Sequence, residues 1–95
     1  MSDDLVQQIK QRCDIVSIIG QHVRLIKRGQ NYVGLCPFHS EKSGSFYVSP
    51  AKHMFHCFGC GESGDVLSFI MKIEHISFRE LLIEKANEFN IPHNL

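Results

Sequence analysis

Cys36-Pro37-Phe38-His39 and Cys57-Phe58-Gly59-Cys60 are two ligand pairs of equal loop length, separated by seventeen residues. Two residues between ligands let a tight turn aim both side chains at one point about 2.0–2.3 Å away, and two such turns complete a closed tetrahedron. Three thiolates with one imidazole select zinc, because soft sulfur in tetrahedral geometry excludes magnesium and calcium. The expected cofactor is therefore one zinc ion on Cys36, His39, Cys57 and Cys60. Four protein ligands leave no position for water or substrate, so the ion is structural and not catalytic. A lone CxxC is also a redox signature, but a thioredoxin-like site needs a βαβ setting that this chain lacks.

Size explains why such an ion is needed. Ninety-five residues make one small domain, expected over 1–95, whose apolar core alone gives a margin on the order of 5 kcal/mol. Zinc in small modules contributes roughly 10–16 kcal/mol to folding. The remaining histidines and Cys13 have other expected places. Cys13 lies among Ile9, Ile15 and Val16 and reads as a small buried hydrophobe. His56 precedes Cys57 on a strand and so points away from the metal.

Outward from the ligand turns, period and punctuation divide the chain. Leu5, Val6 and Ile9, then Ile15 to Ile19, show apolar spacing of three and four, with Asp14 as N-cap and Gly20 as stop. Residues 1–20 are thus a helical lead-in. Residues 22–61 form the ribbon: one hairpin turns at Arg28-Gly29-Gln30-Asn31 and a second, from Phe46-Tyr47-Val48 to Met54-Phe55-His56-Cys57, turns near Pro50. Residues 65–90 hold two helices, the first capped by Asp65 and the second opened by the capping box Ser77-Phe78-Arg79-Glu80. The expected fold is a small α+β zinc ribbon, with antiparallel hairpins carrying the metal and helices at both ends.

Net charge is zero, yet unevenly spread. Residues 15–60 carry Arg24, Lys27, Arg28, Lys42 and Lys52 against Glu41 alone, while residues 61–95 are acidic. Local field decides what a face attracts. Cations with aromatic faces suit single-stranded nucleic acid, where phosphates are tracked and bases stacked. Tyr32, Phe46 and Phe55 serve either core packing or stacking, since strand neighbours alternate faces; Phe38, Phe58 and Phe69 are expected in the core. The basic segment holds one carboxylate, so a two-metal catalytic site is not expected, and no nucleophile has a base beside it. No apolar run approaches the ~20 residues that span a bilayer. The acidic start, Met1-Ser2-Asp3-Asp4, is unlike a signal peptide and points to the cytoplasm.

Cys36-Pro37-Phe38-His39-Ser40-Glu41-Lys42, Ser45-Phe46, Phe55-His56-Cys57-Phe58-Gly59-Cys60-Gly61 and Gly64-Asp65 together resemble the zinc-binding domain at the N-terminus of bacterial DNA primase. Asp14-Ile15-Val16 and Gly29-Gln30-Asn31-Tyr32 match its approach to the first ligand, and Ser43-Gly44 departs from its usual Thr-Pro. The resemblance implies recognition of single-stranded template DNA and regulation of a separate RNA polymerase domain, reached in cis or in trans. It also implies that Mg²⁺ belongs to that other domain, and that a further C-terminal region meets the replicative helicase. Carried onto this sequence, it assigns zinc to Cys36, His39, Cys57 and Cys60, and DNA to Lys27, Arg28, Tyr32, Lys42, Lys52 and Phe55. The rival reading is a zinc-ribbon protein-interaction module from another replication or transcription protein.

Overall fold

Leu5 and Ile9, with Cys13 just past its end, bury one side of the first helix, α1 (Ser2–Arg12), and the side chain of Asp14 accepts the Ser17 N–H to open α2 (Ile15–Gly20). The computed structural model describes residues 2–39 and 44–95. Among these residues five strands follow: β1 (Ile26–Arg28), β2 (Asn31–Gly34), β3 (Phe46–Ser49), β4 (Met54–Cys57) and β5 (Ser63–Gly64). They pair antiparallel in chain order, so each strand is beside its sequence neighbour. Gly29, at φ 63°, makes the two-residue turn between β1 and β2, a conformation glycine adopts without steric cost. The short β5, which the sequence reading does not anticipate, returns the chain from the second ligand turn onto β4.

Two helices complete the fold. The Asp65 carboxylate accepts the Ser68 N–H and starts α3 (Val66–Glu74); His75 ends it in a left-handed conformation. The predicted capping box is present at α4 (Phe78–Glu88), where Ser77 and Glu80 exchange bonds. The buried residues run from Leu5 on α1 to Ile91 beyond α4, with the helices, β3 and β4 supplying most of them.

Register fixes which side chains face that core. Phe46 opposes Cys57, and Val48 opposes Phe55, so these four share the inner face and all are buried. The inner face meets α3 through Phe69, whose ring centroid is 5.7 Å from that of Phe55 and 6.2 Å from that of Phe46. Phe38, half-buried, is 5.7 Å from the same ring. Tilted and edge-on pairs at this spacing add about 0.5–1.5 kcal/mol each beyond their buried area. The two ligand turns are thereby fastened to the core by Phe38, Phe46 and Phe55.

Candidate metal centre and the outer sheet face

The first ligand turn leaves β2 and the second leaves β4, at the same end of the sheet. In the first, the Phe38 N–H donates to the Cys36 sulfur at 3.4 Å. In the second, the Gly61 N–H donates to the Cys57 carbonyl at 2.8 Å and the Cys57 N–H to the Glu62 carbonyl at 2.8 Å. The Phe58 N–H reaches the Ser45 carbonyl at 2.8 Å, tying the second turn to the strand that follows the first. Glu62 is held from outside by Lys72 of α3 at 2.7 Å. These bonds orient the ligands through backbone and salt bridge.

The ligand atoms of Cys36, His39, Cys57 and Cys60 all lie within 4.8 Å of one another. Cys36 and Cys57 are buried, His39 is half-buried with its Nδ1 enclosed, and Cys60 is exposed. The sulfurs of Cys36 and Cys60 stand 3.8 Å apart. Two sulfurs each about 2.3 Å from a tetrahedral zinc ion are themselves about 3.8 Å apart, so the donor set fits that ion. Zinc bound here would tie the two turns together and take no substrate. Gly59 is necessary to the approach: a Cβ there would meet His39 Nε2 at 2.9 Å and Ser45 Oγ at 2.9 Å.

The thiols differ in their hold on a proton. Burial pushes Cys36 up to about 12, against the Phe38 N–H and with further upward pressure from Cys57 and Cys60. Burial also acts on Cys57, but the N–H groups of Cys60 and Gly59, the Ser45 hydroxyl and the Cys36 thiol outweigh it and lower that thiol below its ordinary value. The two buried thiols are thus unequal, Cys36 holding its proton more firmly and Cys57 less firmly than an ordinary thiol. A bound divalent cation releases such protons, which makes loading weaker in acid. Cys13 stands apart from the cluster, buried, with burial raising its thiol against the nearby Lys85.

The candidate nucleic-acid residues divide between two sides of the sheet. Lys27 and Arg28 are exposed on β1, and Arg28 shares the outer face with Asn31. Lys52 is exposed on the turn between β3 and β4, while Lys42 lies outside the described residues. Tyr32 is half-buried and packs against the core from the inner face. Phe55 requires a correction: at 1% exposure, enclosed by Phe38, Phe46 and Phe69, it offers no ring face to a base. Phe46 resolves the same way, at 0%.

Phe58 needs the opposite correction, from core to surface, at 70% exposure. It follows the end of β4, where the chain turns outward and strand alternation no longer applies. Its ring centroid is 5.3 Å from Tyr47 and 4.4 Å from His56. Tyr47 and His56 are paired across β3 and β4 on the outer face, as His56 is expected to be by facing away from the metal. With Asn31, Lys52 and Ser63 these rings line a cleft of about 580 Å³, within the range of small-ligand sites. The signal for Tyr47 and His56 is strand parity: a metal-facing Cys57 sends Phe55 inward and His56 outward.

Comparison with known proteins agrees with this architecture. The sequence profile of the CHC2 zinc finger matches residues 1–95. The DNA primase of Synechocystis is 52% identical over 88 residues, 93% of this chain and 14% of the relative. That of Thermotoga maritima is 46% identical over 92 residues, 97% of this chain and 16% of the relative. The crystal structure of the Aquifex aeolicus primase, with zinc-binding and RNA polymerase domains, superposes with a TM-score of 0.85 at 39% identity, over 95% of this chain and 22% of that one. The chain spans about one seventh of the curated relatives' length. No helix among the described residues is long and apolar enough to cross a membrane. The chain belongs to the CHC2 zinc finger family, as a zinc-binding domain of the DNA primase type.

Proposed function

We propose that residues 1–95 act as one template-recognition domain, in which zinc on Cys36, His39, Cys57 and Cys60 fixes the sheet and the outer sheet face takes single-stranded DNA. The observation that carries this reading is the ring cluster of exposed Tyr47 and Phe58 with half-buried His56 around one cleft, bordered by Lys52. Apolar rings on the wet side of a sheet gain nothing from the core, whereas each stacked base contributes roughly 1–3 kcal/mol. Arg28, opposite the cleft residue Asn31 on β1, and Lys52 supply phosphate contacts, while Lys27, opposite Tyr32, adds positive charge from the other side of the strand. Phe55 and Tyr32 support the platform from beneath instead of touching the strand.

In the whole protein this domain presents template to an RNA polymerase domain, of the same or a neighbouring molecule, where Mg²⁺ and primer synthesis belong. The Aquifex relative, which carries both kinds of domain, supports that arrangement. Contact with the replicative helicase through a further C-terminal region, and a cytoplasmic place at the replication fork, belong to the same reading. Catalysis is assigned to the other domain, because the thiols and imidazole gathered here would all be taken up as zinc ligands.

The test is fluorescence anisotropy with a labelled pyrimidine-rich oligonucleotide at two salt concentrations. Binding that weakens with salt, and weakens further in Phe58→Ala, supports the reading. Absence of binding at low salt would assign the face to a protein partner.

A further inference from the structure

A second cleft, about 690 Å³, lies beyond the turn between β3 and β4. Lys52 and Met54 line both clefts, so the two meet around that turn. The far wall is the end of α1, which contributes Gln7, Gln11 and Arg12, all exposed. His53, in a left-handed conformation at φ 55°, stands on the near wall.

The charges in this cleft are unequal in availability. Lys10 pairs with Asp65 at 3.0 Å. The carboxylates of Asp14 and Asp65 each accept a backbone N–H, from Ser17 and Ser68, at 2.9 Å. Among the described residues Arg12 and Lys52 have no acidic partner, and against them stands the Asp14 carboxylate alone, so the cleft keeps a positive excess with two amide side chains between helix and turn. A protein partner would want an apolar centre to dock on. Here Cys13, Ile15 and Val66 are buried, and Met54 at the rim is the exposed apolar side chain.

The geometry points to a longer track: the cleft between α1 and the β3–β4 turn takes the phosphate backbone of nucleotides flanking those stacked on Tyr47, His56 and Phe58, with Arg12 as its phosphate contact. This rests on the outer-face reading above. It makes the domain read a strand that bends around Lys52 instead of one confined to the sheet.

The experiment compares a trinucleotide with a nonanucleotide of the same central sequence, on the zinc-loaded chain and on Arg12→Glu, across a salt series. The expected result is that the wild-type chain holds the nonanucleotide more tightly, with a steeper salt slope. Arg12→Glu should remove several-fold of that gain and about 0.7 of the slope per lost phosphate contact, leaving trinucleotide affinity unchanged. Equal affinity and slope for wild type and variant on the nonanucleotide overturns the track and leaves the outer-face reading standing. Failure of the wild type to bind either oligonucleotide defeats the outer-face reading first. Amide shift mapping gives an arm that needs no variant: the nonanucleotide should move Gln11, Arg12 and His53, and the trinucleotide should not. A cleft whose resonances answer to an acidic peptide and not to the nonanucleotide is a protein site, which also overturns the proposal.

Discussion

The sulfurs of Cys36 and Cys60 stand 3.8 Å apart, although one follows β2 and the other follows β4. That separation is the edge of a zinc–thiolate tetrahedron of about 2.3 Å bonds. It arises because both strands end at the same side of the sheet, and because Phe38 and Phe46 anchor the turns on Phe69. The sheet places the ligands; a bound ion would then lock the ends together.

Gly59 gives the sharpest test of that placement. Gly59→Ala would set a methyl 2.9 Å from the His39 imidazole, a ring that cannot retreat without leaving the cluster. Zinc affinity should fall by about tenfold or more, the scale on which groups supporting metal ligands act. Gly20→Ala is the control: nothing lies within 4 Å of its Cβ, and on α2 the change should raise stability by about 0.5–1 kcal/mol. A competition titration with a chelator and a thermal melt distinguish the two.

Phe55 and Phe58 should separate stability from binding. Phe55→Ala empties a site in the centre of the ring cluster and should cost about 3–5 kcal/mol. Phe58→Ala removes an exposed ring, so its melting temperature should stay near the wild type while oligonucleotide affinity falls by about 1–3 kcal/mol. A stable Phe58→Ala with full affinity would move the strand off this face.

Why neither aromatic was legible in the sequence follows from strand geometry. The ligand spacing, Asp14, Asp65 and the Ser77–Glu80 box are local signals, each decided within a few residues, and each helix start stands where they put it. Facing on a short strand depends on register, where a slip of one residue exchanges the two sides. For Phe55 the decisive pairing is with Val48 across the hairpin, and for Phe58 the decisive fact is that β4 stops at Cys57. The fifth strand, two residues long, is beneath what periodicity can resolve.

Cys13→Ala should leave metal content at the wild-type value. The thiol is buried on the core side of the α1–α2 junction, outside the ligand cluster. Loss of its sulfur should cost about 1 kcal/mol. Metal analysis together with a denaturant titration checks both expectations.

Asp65 supplies a pH signature. Burial alone would push its carboxyl up, but the Ser68 N–H and the Lys10 ammonium hold it below the ordinary carboxylate range. As pH falls, the unfolded chain takes up that proton before the folded one does. The stabilisation is therefore complete above the ordinary value of about 4 and is lost as pH drops through the folded value. Asp65→Ala should cost about 1 kcal/mol at neutral pH through loss of the cap. Its deficit against the wild type should shrink on acidification, measured as the difference between paired melts; a constant deficit would remove Asp65 from the acid response.

Cobalt substitution followed by electronic absorption, paired with metal stoichiometry from native mass spectrometry, tests the metal centre most directly. The account predicts one ion per chain in a tetrahedral thiolate field, with that signature lost in Cys57→Ser. An octahedral oxygen spectrum, or a folded chain carrying no ion at all, would contradict it.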